Sequence, residues 1–355
     1  NLQAPKSIRF QMSRCRLLFF GWLGVSFLLL ISGQKNSDDV NIREGRSVAV
    51  VTLLTTSAYV PGAEVLAYSL DSVNATGDRV LLYVGGEEDA RSDLYKEHID
   101  DLRRAGWNRI IPLTRESNTY TECKVLEKNR EQVMAKTIKR YWGTCSKVAI
   151  WTLTDYDAVV YIDADSLVLN NFDFVYNYVL EGPGDSLFAQ GTPGCWETLP
   201  NCDSFYSAFL VVKPSHHIQQ YFHHIAKETE LINGDIELLN AVYKNWKPLP
   251  RYTLVAQTEQ ARPRNPETNE VDWSHVMVYD FSGAPVTKPW VTYEIQRSKK
   301  DKYAHGVFSN VEPGSDIAET YLYPQWLWNE CYEAVLENRK QSSIDQTQPF
   351  SVDEL

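Results

Sequence analysis

One apolar segment that ends in two aspartates constrains the fold of this 355-residue chain more than any other stretch. The segment runs from Asp157 through Ala-Val-Val-Tyr-Ile to Asp163, Ala164 and Asp165. Its β-branched residues favour a buried strand, so the Asp-Ala-Asp triplet falls at the carboxyl end of that strand. Open α/β sheets bind their ligands at this edge. Because side chains alternate along a strand, the two carboxylates point the same way and can hold one hard divalent cation.

Strand and helix signals alternate on both sides of this segment. The predicted strands cover residues 47–54, 79–84, 109–113, 186–190, 208–212 and 275–280. The predicted helices cover residues 61–73, 91–105, 146–154, 215–228, 233–240 and 324–336. Such alternation is typical of an α/β fold with a largely parallel sheet.

An apolar run without charge, residues 17–33, lies behind Arg14 and Arg16. It is at the short end of the roughly 17 to 25 residues that span a bilayer, and the basic residues before it place the amino terminus in the cytosol. The expected order is a cytosolic segment 1–16, a signal-anchor helix 17–33, a stem 34–45, one folded domain 46–336 and a flexible tail 337–355. A cleaved signal peptide has the same charge order and stays open as the alternative; both place the domain in the secretory lumen.

The charge balance limits the possible partners. The chain carries 46 acidic and 35 basic residues, for a formal net charge of −11. Nucleic acid is therefore excluded as the main partner, because phosphate binding needs a basic face. A nucleotide can still bind through a local cationic pocket or a metal ion.

The lumenal location makes disulfides and a glycan possible. Cys123 with Cys145 and Cys195 with Cys202 are candidate bridges, although the sequence fixes no connectivity and buried free thiols are the alternative. Asn74-Ala-Thr76 is an N-glycosylation sequon.

The Asp-x-Asp pattern alone is ambiguous, because haloacid-dehalogenase-type phosphatases also contain it. Those enzymes need a later Gly-Asp-x-x-x-Asp cluster. Here Gly234-Asp235 is followed at that spacing by Leu239, so the phosphatase remains a remote alternative.

Several motifs in a fixed order are more specific than the Asp-x-Asp pattern alone. They are Val-Thr-Leu-Leu-Thr-Thr-Ser-Ala-Tyr at 51–59, the Ser-Lys to Asp-Tyr stretch at 146–156, Tyr-Ile-Asp-Ala-Asp at 161–165, Asn-Gly-Asp-Ile-Glu-Leu-Leu-Asn at 233–240, Asp-Phe-Ser-Gly at 280–283 and Lys-Pro-Trp at 288–290. As an ordered set over residues 47–295 they resemble glycosyltransferase family 8, in its glycogenin-like and xylan glucuronosyltransferase-like branches.

This resemblance implies a GT-A fold, a Rossmann-like single domain with a mixed, mostly parallel sheet, here behind a membrane anchor. It implies a retaining transferase that moves a hexosyl group from a UDP-sugar to a glycan or glycoconjugate acceptor. Mn²⁺ is the implied cofactor, with Mg²⁺ as the alternative. The implied location is the Golgi membrane, in a single-pass type II topology with the catalytic domain in the lumen, and the endoplasmic reticulum is the alternative.

The resemblance also implies a metal site of three carboxylates. Asp163 and Asp165 correspond to the family's metal ligands, and hard oxygen donors suit Mn²⁺. Asp280 stands where the family usually has a histidine ligand. A third carboxylate makes the site more anionic, which can favour Mg²⁺ or weaken UDP binding.

A second implied set holds the nucleotide sugar. Its members are Leu53, Thr55, Tyr59, Lys147, Ala164, Ser207, Asp235, Gly283 and Lys288. Thr55 and Tyr59 correspond to the uridine site, whereas Lys288 corresponds to the family's diphosphate lysine. The implied catalytic residues are Asp235, Lys147 and Lys288.

The chemistry leaves two routes open. Retaining enzymes of this fold are thought to let the leaving diphosphate deprotonate the acceptor on the same face, whereas a double displacement would need Asp235 or Glu237 as nucleophile. The donor pocket also departs from the glycogenin-like pattern at Tyr206-Ser207-Ala208 and at Ile236, so the sugar is open. A catalytically inactive relative that binds UDP-sugar or glycan is the alternative function.

Overall fold

The computed structural model describes residues 45–85, 94–117, 119–123, 143–182, 184, 186–192, 204–229, 231, 234–257, 263–269, 271–282, 288–299 and 316–347. The predicted cytosolic segment, anchor and most of the stem lie outside these residues, as do Gly283 and the Cys195 and Cys202 pair. Among the helices that are described, none is both long enough and apolar enough to cross a membrane.

The described strands form one sheet of seven strands and one of three. They are β1 (Val48–Leu54), β2 (Asp78–Val84), β3 (Arg109–Leu113), β4 (Ala158–Ile162), β5 (Ser166–Val168), β6 (Leu187–Gly191), β7 (Phe205–Val212), β8 (Lys247–Pro248), β9 (Leu254–Ala256) and β10 (Val278–Asp280). β1 and β4 are fully buried, as expected for parallel strands covered on both faces.

Helices connect and cover these strands. They are α1 (Val60–Ser72), α2 (Lys96–Arg104), α3 (Tyr176–Leu180), α4 (His216–Glu228), α5 (Asp235–Val242), α6 (Pro289–Lys299) and α7 (Asp316–Thr347). Short 3₁₀ helices cover Ser57–Tyr59, Thr144–Thr152, Asp173–Val175 and Trp273–His275. α1 begins with Pro61 in its first turn, where a missing backbone N–H costs nothing.

The large sheet is mixed and mostly parallel, which confirms the expected fold class. Its strand order is β3-β2-β1-β4-β7-β6-β8. β1 pairs in parallel with β2 and with β4. β3 pairs in parallel with β2, and β8 pairs in parallel with β6. β7 alone among the described strands of this sheet runs antiparallel to its neighbours, β4 and β6. The carboxyl ends of β1 and β4 therefore meet the beginning of β7 at one edge.

The sheet separates two hydrophobic cores. Successive residues of β1 alternate between them: Val50 belongs to one core, and Ala49 and Val51 belong to the other. The alternation follows from the two-residue period of a strand. A third core forms between the small sheet, α1, α6 and α7, and it contains Val65, Tyr279 and Trp328.

Apart from shifts of a few residues at the ends of other elements, three predicted elements differ from the structure. The predicted helix 146–154 is the 3₁₀ helix Thr144–Thr152, whose β-branched residues disfavour the α-helix. The predicted strand 275–280 is reduced to β10, because Asp272 accepts a hydrogen bond from the Ser274 backbone N–H and caps the 3₁₀ helix before it. The predicted helix 324–336 is the longer α7, which continues into the predicted tail because neither Gly nor Pro interrupts residues 337–347.

A disulfide joins Cys123 to Cys145, with a Cα–Cα distance of 5.3 Å. It is one of the two bridges that the sequence left open. Cys331 is buried and does not belong to this disulfide.

Candidate active site

The two central aspartates lie on a braced turn between β4 and β5. The Asp163 N–H donates to the Ala208 carbonyl on β7 at 2.9 Å, and the Ser166 N–H donates to the Asp163 carbonyl at 3.1 Å. The Phe281 N–H, just after β10, donates to the Asp165 carbonyl at 2.9 Å. Three strands therefore hold the backbone of this turn at the carboxyl edge of the parallel strands.

Asp280 reaches the same place from the small sheet. β10 pairs antiparallel with β5, so that Asp280 lies opposite Ser166. The Asp280 carboxylate is buried and accepts hydrogen bonds from the Ser166 hydroxyl at 3.5 Å and from the Ser282 hydroxyl. Burial, and then the charges of Asp165 and Asp163, raise the pKa of Asp280 well above its usual value.

Lys147 joins two of the predicted carboxylates. Its Nζ lies 3.0 Å from Asp163 Oδ1 and 2.7 Å from Asp235 Oδ2. It also donates to the Ser207 carbonyl and hydroxyl at 3.0 and 3.2 Å, and it lies 4.7 Å from the centroid of the Tyr161 ring. Burial opposes the charge, but Asp163 and Asp235 outweigh it and raise the pKa of Lys147. Lys147 is therefore a buried cation at neutral pH.

Asp235 depends on a clamp between α5 and β7. The Phe205 N–H donates to Asn240 Oδ1 at 2.9 Å, and Asn240 Nδ2 donates to the Phe205 carbonyl at 3.0 Å. This clamp places the first turn of α5, with buried Asp235, beside Lys147. Asp235 Oδ2 is buried, and the Lys147 ammonium lies 2.7 Å from it.

Lys288 forms the second cationic contact of the site. Its ammonium group donates to Asp165 Oδ2 and, at 2.9 Å, to the Phe281 carbonyl. Burial disfavours the charge, but the Asp165 carboxylate outweighs this effect and raises the pKa of Lys288. The same ammonium lies 5.7 Å from the centroid of the Tyr59 ring.

The three aspartates suit a divalent cation by their chemistry but not by their present arrangement. Carboxylate oxygens are preferred by Mn²⁺ and Mg²⁺, and the charges of Asp163 and Asp165 raise the pKa of Asp280, so a cation would relieve repulsion here. However, the part of the chain that the structure describes contains no group of three or more His, Cys, Asp or Glu side chains arranged to hold a metal. Asp163 is paired with Lys147, and Asp165 with Lys288. Metal binding would require these side chains to rearrange.

The remaining predicted residues line the same edge. Buried Leu53 is in β1, and half-buried Thr55 follows that strand. Tyr59 ends a 3₁₀ helix, and its ring meets the Trp290 ring edge-on at 5.2 Å between centroids. Buried Ala164 lies between the two aspartates. Gly283 lies outside the described residues.

Two residues that the sequence did not single out also contact this site. The Tyr161 hydroxyl donates to Asp163 Oδ1 at 2.6 Å, and burial raises the pKa of Tyr161 well above its usual value, so the hydroxyl stays protonated. Tyr161 precedes Asp163 by two residues on a strand end, so the strand period was a signal for it. Gly62 in α1 lies against Ala164, and no pattern in the sequence indicates that contact.

Comparison with known proteins finds relatives that the chain matches over part of their length. No protein-family model matches the chain. UDP-glucuronate:xylan alpha-glucuronosyltransferase 1 of Arabidopsis thaliana is 26% identical over 300 residues, which cover 81% of this chain and 39% of the relative. Inositol phosphorylceramide glucuronosyltransferase 1 of Arabidopsis thaliana is 28% identical over 228 residues, which cover 63% of this chain and 35% of the relative. Glycogenin-1 of Mus musculus is 29% identical over 199 residues, which cover 56% and 51%.

These relatives are members of glycosyltransferase family 8. The chain is similar to family 8 glycosyltransferases. The resemblance predicted from the ordered motifs is thereby confirmed. The matched region nevertheless spans 39% of the first xylan glucuronosyltransferase and 37% of the second, well under two thirds of either.

Solved structures of glycosyltransferases are also similar. Glycosyltransferase GlyE of Streptococcus pneumoniae TIGR4 has a TM-score of 0.46 and 14% identity, covering 84% of this chain and 64% of that chain. Galactosyltransferase LgtC, in complex with donor and acceptor sugar analogs, has a TM-score of 0.46 and 18% identity, covering 75% of this chain and 98% of that chain. At these scores the likeness adds nothing to the strand order observed in the chain itself.

The departures from the family 8 pattern lie in the site. Ser207, which lies between the departures Tyr206 and Ala208, contacts Lys147 through both its hydroxyl and its carbonyl. Ile236 is half-buried in the first turn of α5, directly after Asp235. Asp280 occupies the place that the resemblance assigns to a histidine. The chain therefore departs from the family 8 pattern at residues beside its lysines and carboxylates.

Proposed function

We propose that the chain is a retaining glycosyltransferase that moves a hexosyl group from a UDP-sugar to a glycan or glycoconjugate acceptor. The observation that carries the proposal is the paired arrangement at the carboxyl edge of the sheet. Lys147 lies between Asp163 and Asp235, and Lys288 holds Asp165. Similarity to family 8 glycosyltransferases supports the same reaction class.

Lys288 and the aromatic residues beside it would bind the nucleotide half of the donor. A diphosphate carries negative charge that a lysine ammonium group neutralises. Tyr59 lies next to Lys288 and offers a ring face to uridine, while Trp290 supports that ring from its edge. On binding, Lys288 would exchange its carboxylate partner for phosphate oxygens.

Asp163, Asp165 and Asp280 would hold the metal ion, Mn²⁺ or Mg²⁺. When bound, such an ion stabilises negative charge on the departing diphosphate. Lys288 adds a fixed positive charge for the same purpose.

Asp235 would bind the donor sugar. A carboxylate accepts several hydrogen bonds, so Asp235 can accept one from a sugar hydroxyl beside its contact with Lys147. The Lys147 ammonium lies 2.7 Å from Asp235 Oδ2, so the negative charge of this carboxylate is already paired. Asp235 is therefore better suited to orient the sugar than to attack it.

The reaction that fits this arrangement proceeds on one face of the sugar. The acceptor hydroxyl oxygen forms a bond to the anomeric carbon as the bond to the UDP phosphate oxygen breaks, and the hydroxyl proton goes to that phosphate oxygen. No side-chain nucleophile is required. Glu237 is disfavoured as a nucleophile, because two residues on an α-helix point about 200° apart and Asp235 already faces Lys147.

The proposal includes a membrane-anchored location with the domain in the lumen of the Golgi, through residues 17–33. The Cys123–Cys145 disulfide supports an oxidising compartment, since such bonds are rare in the cytosol.

Release of UDP by the purified full chain tests the function. A panel of UDP-sugars with Mn²⁺ or Mg²⁺, and with candidate acceptors, should give metal-dependent release from one donor. Asp163→Ala and Asp280→Ala should each abolish it. Asp71→Ala is the matched control, because the side chain of Asp71 is 61% exposed and lies at the end of α1, away from the site.

The competing function is that of a non-catalytic UDP-sugar binder. Asp280 and Ile236 support it, because both depart from the family 8 pattern. Binding of UDP without release from any donor and acceptor pair would favour it. Wild-type activity in Asp280→Ala would remove only the assignment of Asp280 as a metal ligand.

A further inference from the structure

Gly62 occupies a place where no side chain fits. It is buried in the first turn of α1. A Cβ atom there would lie 2.4 Å from the Ala164 carbonyl oxygen and 2.7 Å from Cζ3 of Trp290, closer than the 3.0 Å that real Cβ atoms keep. The backbone of Gly62 has no left-handed φ, so its need for glycine comes from contact alone.

The Ala164 carbonyl cannot move away easily. Ala164 lies between Asp163 and Asp165, in the turn that hydrogen bonds from Asp163 to β7 and from Phe281 to the Asp165 carbonyl hold in place. A methyl group on residue 62 would therefore shift the turn that carries both aspartates.

The second neighbour, Trp290, belongs to the other half of the site. It follows Lys288 by two residues, and its ring contacts Tyr59 at 5.2 Å between centroids. Lys288 in turn pairs with Asp165. Gly62 thus lies against both the aspartate turn and the segment 288–290, and these two parts also contact each other.

We propose that Gly62 is a positioning residue of the nucleotide-sugar site, resting on the proposed function. Its bare Cα sets the separation between the Asp163–Asp165 turn and the Lys288–Trp290 segment, which must close on the same diphosphate. Any side chain at residue 62 spreads these two halves and weakens donor binding.

Gly62→Ala tests this inference in the full chain, with Gly184→Ala as the matched control. A Cβ at exposed Gly184 meets no atom within 4 Å, so that variant adds the same methyl group in open space. Calorimetry of UDP binding with Mn²⁺, at a temperature where circular dichroism finds each variant folded, should give about tenfold weaker binding for Gly62→Ala. Gly184→Ala should bind as wild type does.

The dissociation constant separates positioning from a general folding defect. Irreversibly misfolded protein lowers the binding stoichiometry but leaves Kd unchanged, and reversible unfolding, which would raise the apparent Kd, is excluded by the circular dichroism. In steady-state kinetics, the KM for the donor should rise while the KM for the acceptor stays the same.

A second pair of variants covers the case in which Gly62→Ala does not fold. Trp290→Leu removes the ring that would meet the new methyl group, so the double variant Gly62→Ala/Trp290→Leu keeps only the conflict with the Ala164 carbonyl. It should bind UDP about tenfold more weakly than Trp290→Leu alone.

Two results overturn the inference and are distinguishable. Wild-type binding with an unchanged Kd in Gly62→Ala, or equal Kd values in the Trp290→Leu pair, overturns it while the proposed function stands. Failure of the wild-type chain itself to bind UDP with Mn²⁺ overturns the proposed function and this inference with it.

Discussion

At the residue scale, buried ion pairs between lysines and aspartates stabilise the site. Lys147 is 3% exposed and contacts both Asp163 and Asp235. Removing one partner of a buried ion pair leaves the other charge uncompensated, which costs more than the pair contributes.

Lys147→Met should therefore lower the free energy of unfolding by about 3 kcal/mol or more, and activity by about 10²-fold. Chemical denaturation and UDP release measure the two effects. Lys96→Met is the control, because Lys96 is 91% exposed and its pair with Asp100 should contribute far less to stability. Equal costs for both variants would contradict the buried-pair interpretation.

Tyr161→Phe should weaken the site without opening a cavity. The substitution removes the 2.6 Å hydrogen bond to Asp163 and keeps the ring beneath Lys147. We expect a loss of about 1.5 kcal/mol in unfolding free energy, typical of a hydrogen bond to a charged group. Tyr178→Phe, which keeps its stack on Phe188, serves as the control. A loss of the same size there would show that the hydroxyl bond to Asp163 has no special weight.

How far the sequence predicts single residues depends on how local their contacts are. Asp163 and Asp165 are predicted locally, because they directly follow the apolar run that forms β4. The bridge from Lys147 to Asp235 and the contact of Gly62 with Ala164 join segments far apart in the chain. Such contacts depend on tertiary packing, which a local pattern does not contain.

At the element scale, Arg339 joins three helices. It lies on α7 and pairs with Glu64 on α1, and its Nη2 lies 3.1 Å from Asp101 on α2. Burial raises the pKa of Glu64 above its usual value of 4.5, although Arg339 opposes this shift.

This raised pKa predicts how stability depends on pH. A carboxyl whose pKa is raised by folding binds its proton more tightly in the folded state, so its contribution to stability falls as the pH rises through that pKa. Glu64→Gln does not titrate. The unfolding free energy of the variant minus that of wild type should therefore increase from pH 4.5 up to the raised pKa of Glu64, and then level off.

Urea denaturation at a series of pH values measures this difference. Asp100→Asn gives the opposite sign, because the hydrogen bond from Lys96 lowers the pKa of Asp100. In that pair, wild type gains stability relative to the variant as the pH rises towards 3.8. A difference for Glu64→Gln that does not change with pH would contradict the assigned burial effect.

The sequence predicts the long elements better than the short ones. β1, β2 and β3 appear close to their predicted bounds, because each is built around adjacent apolar residues such as Val, Ile and Leu. β5 and β9 have three residues each, too few to show a period, and they exist through their pairing with β10. Asp280 reaches the site only through that pairing.

At the scale of the whole molecule, the two ends of the parallel strands differ in what they carry. The site lies at the carboxyl ends of the parallel strands. Asn74 lies at the opposite edge, in an exposed turn between α1 and β2, with φ of +52°. Asp173 accepts hydrogen bonds from the backbone N–H and the hydroxyl of Thr76, at 2.9 and 2.7 Å.

We expect Asn74 to carry an N-linked glycan in the proposed lumenal location, without loss of transferase activity. Digestion with a glycan-removing amidase should increase the electrophoretic mobility of the chain expressed in a eukaryotic secretory host. Asn74→Gln should remove that shift, whereas Thr76→Ser keeps both the sequon and the hydroxyl that bonds to Asp173. A wild-type chain whose mobility does not change on digestion, but which is protected from external protease in sealed vesicles, would refute glycosylation. The lumenal location would still stand.

The direction of β7 is a property of the whole molecule that local patterns do not predict. Hydrophobic runs indicate a strand but not its orientation, and the alternation of strands and helices favoured a largely parallel sheet. The mixed character was expected only from the family resemblance, and the pairing of β7 with β4 and β6 confirms it.

The reversed strand has a consequence for how such a protein can diversify. Because β7 runs against β4, its first residues, including Tyr206 and Ser207, border the site, while Phe209 to Val212 are buried in the cores. One strand thus carries the half-buried Tyr206 beside the site and an apolar part that keeps the protein folded. Under the proposed function, substitutions at Tyr206 would change the donor preference while the apolar part of the strand stays intact.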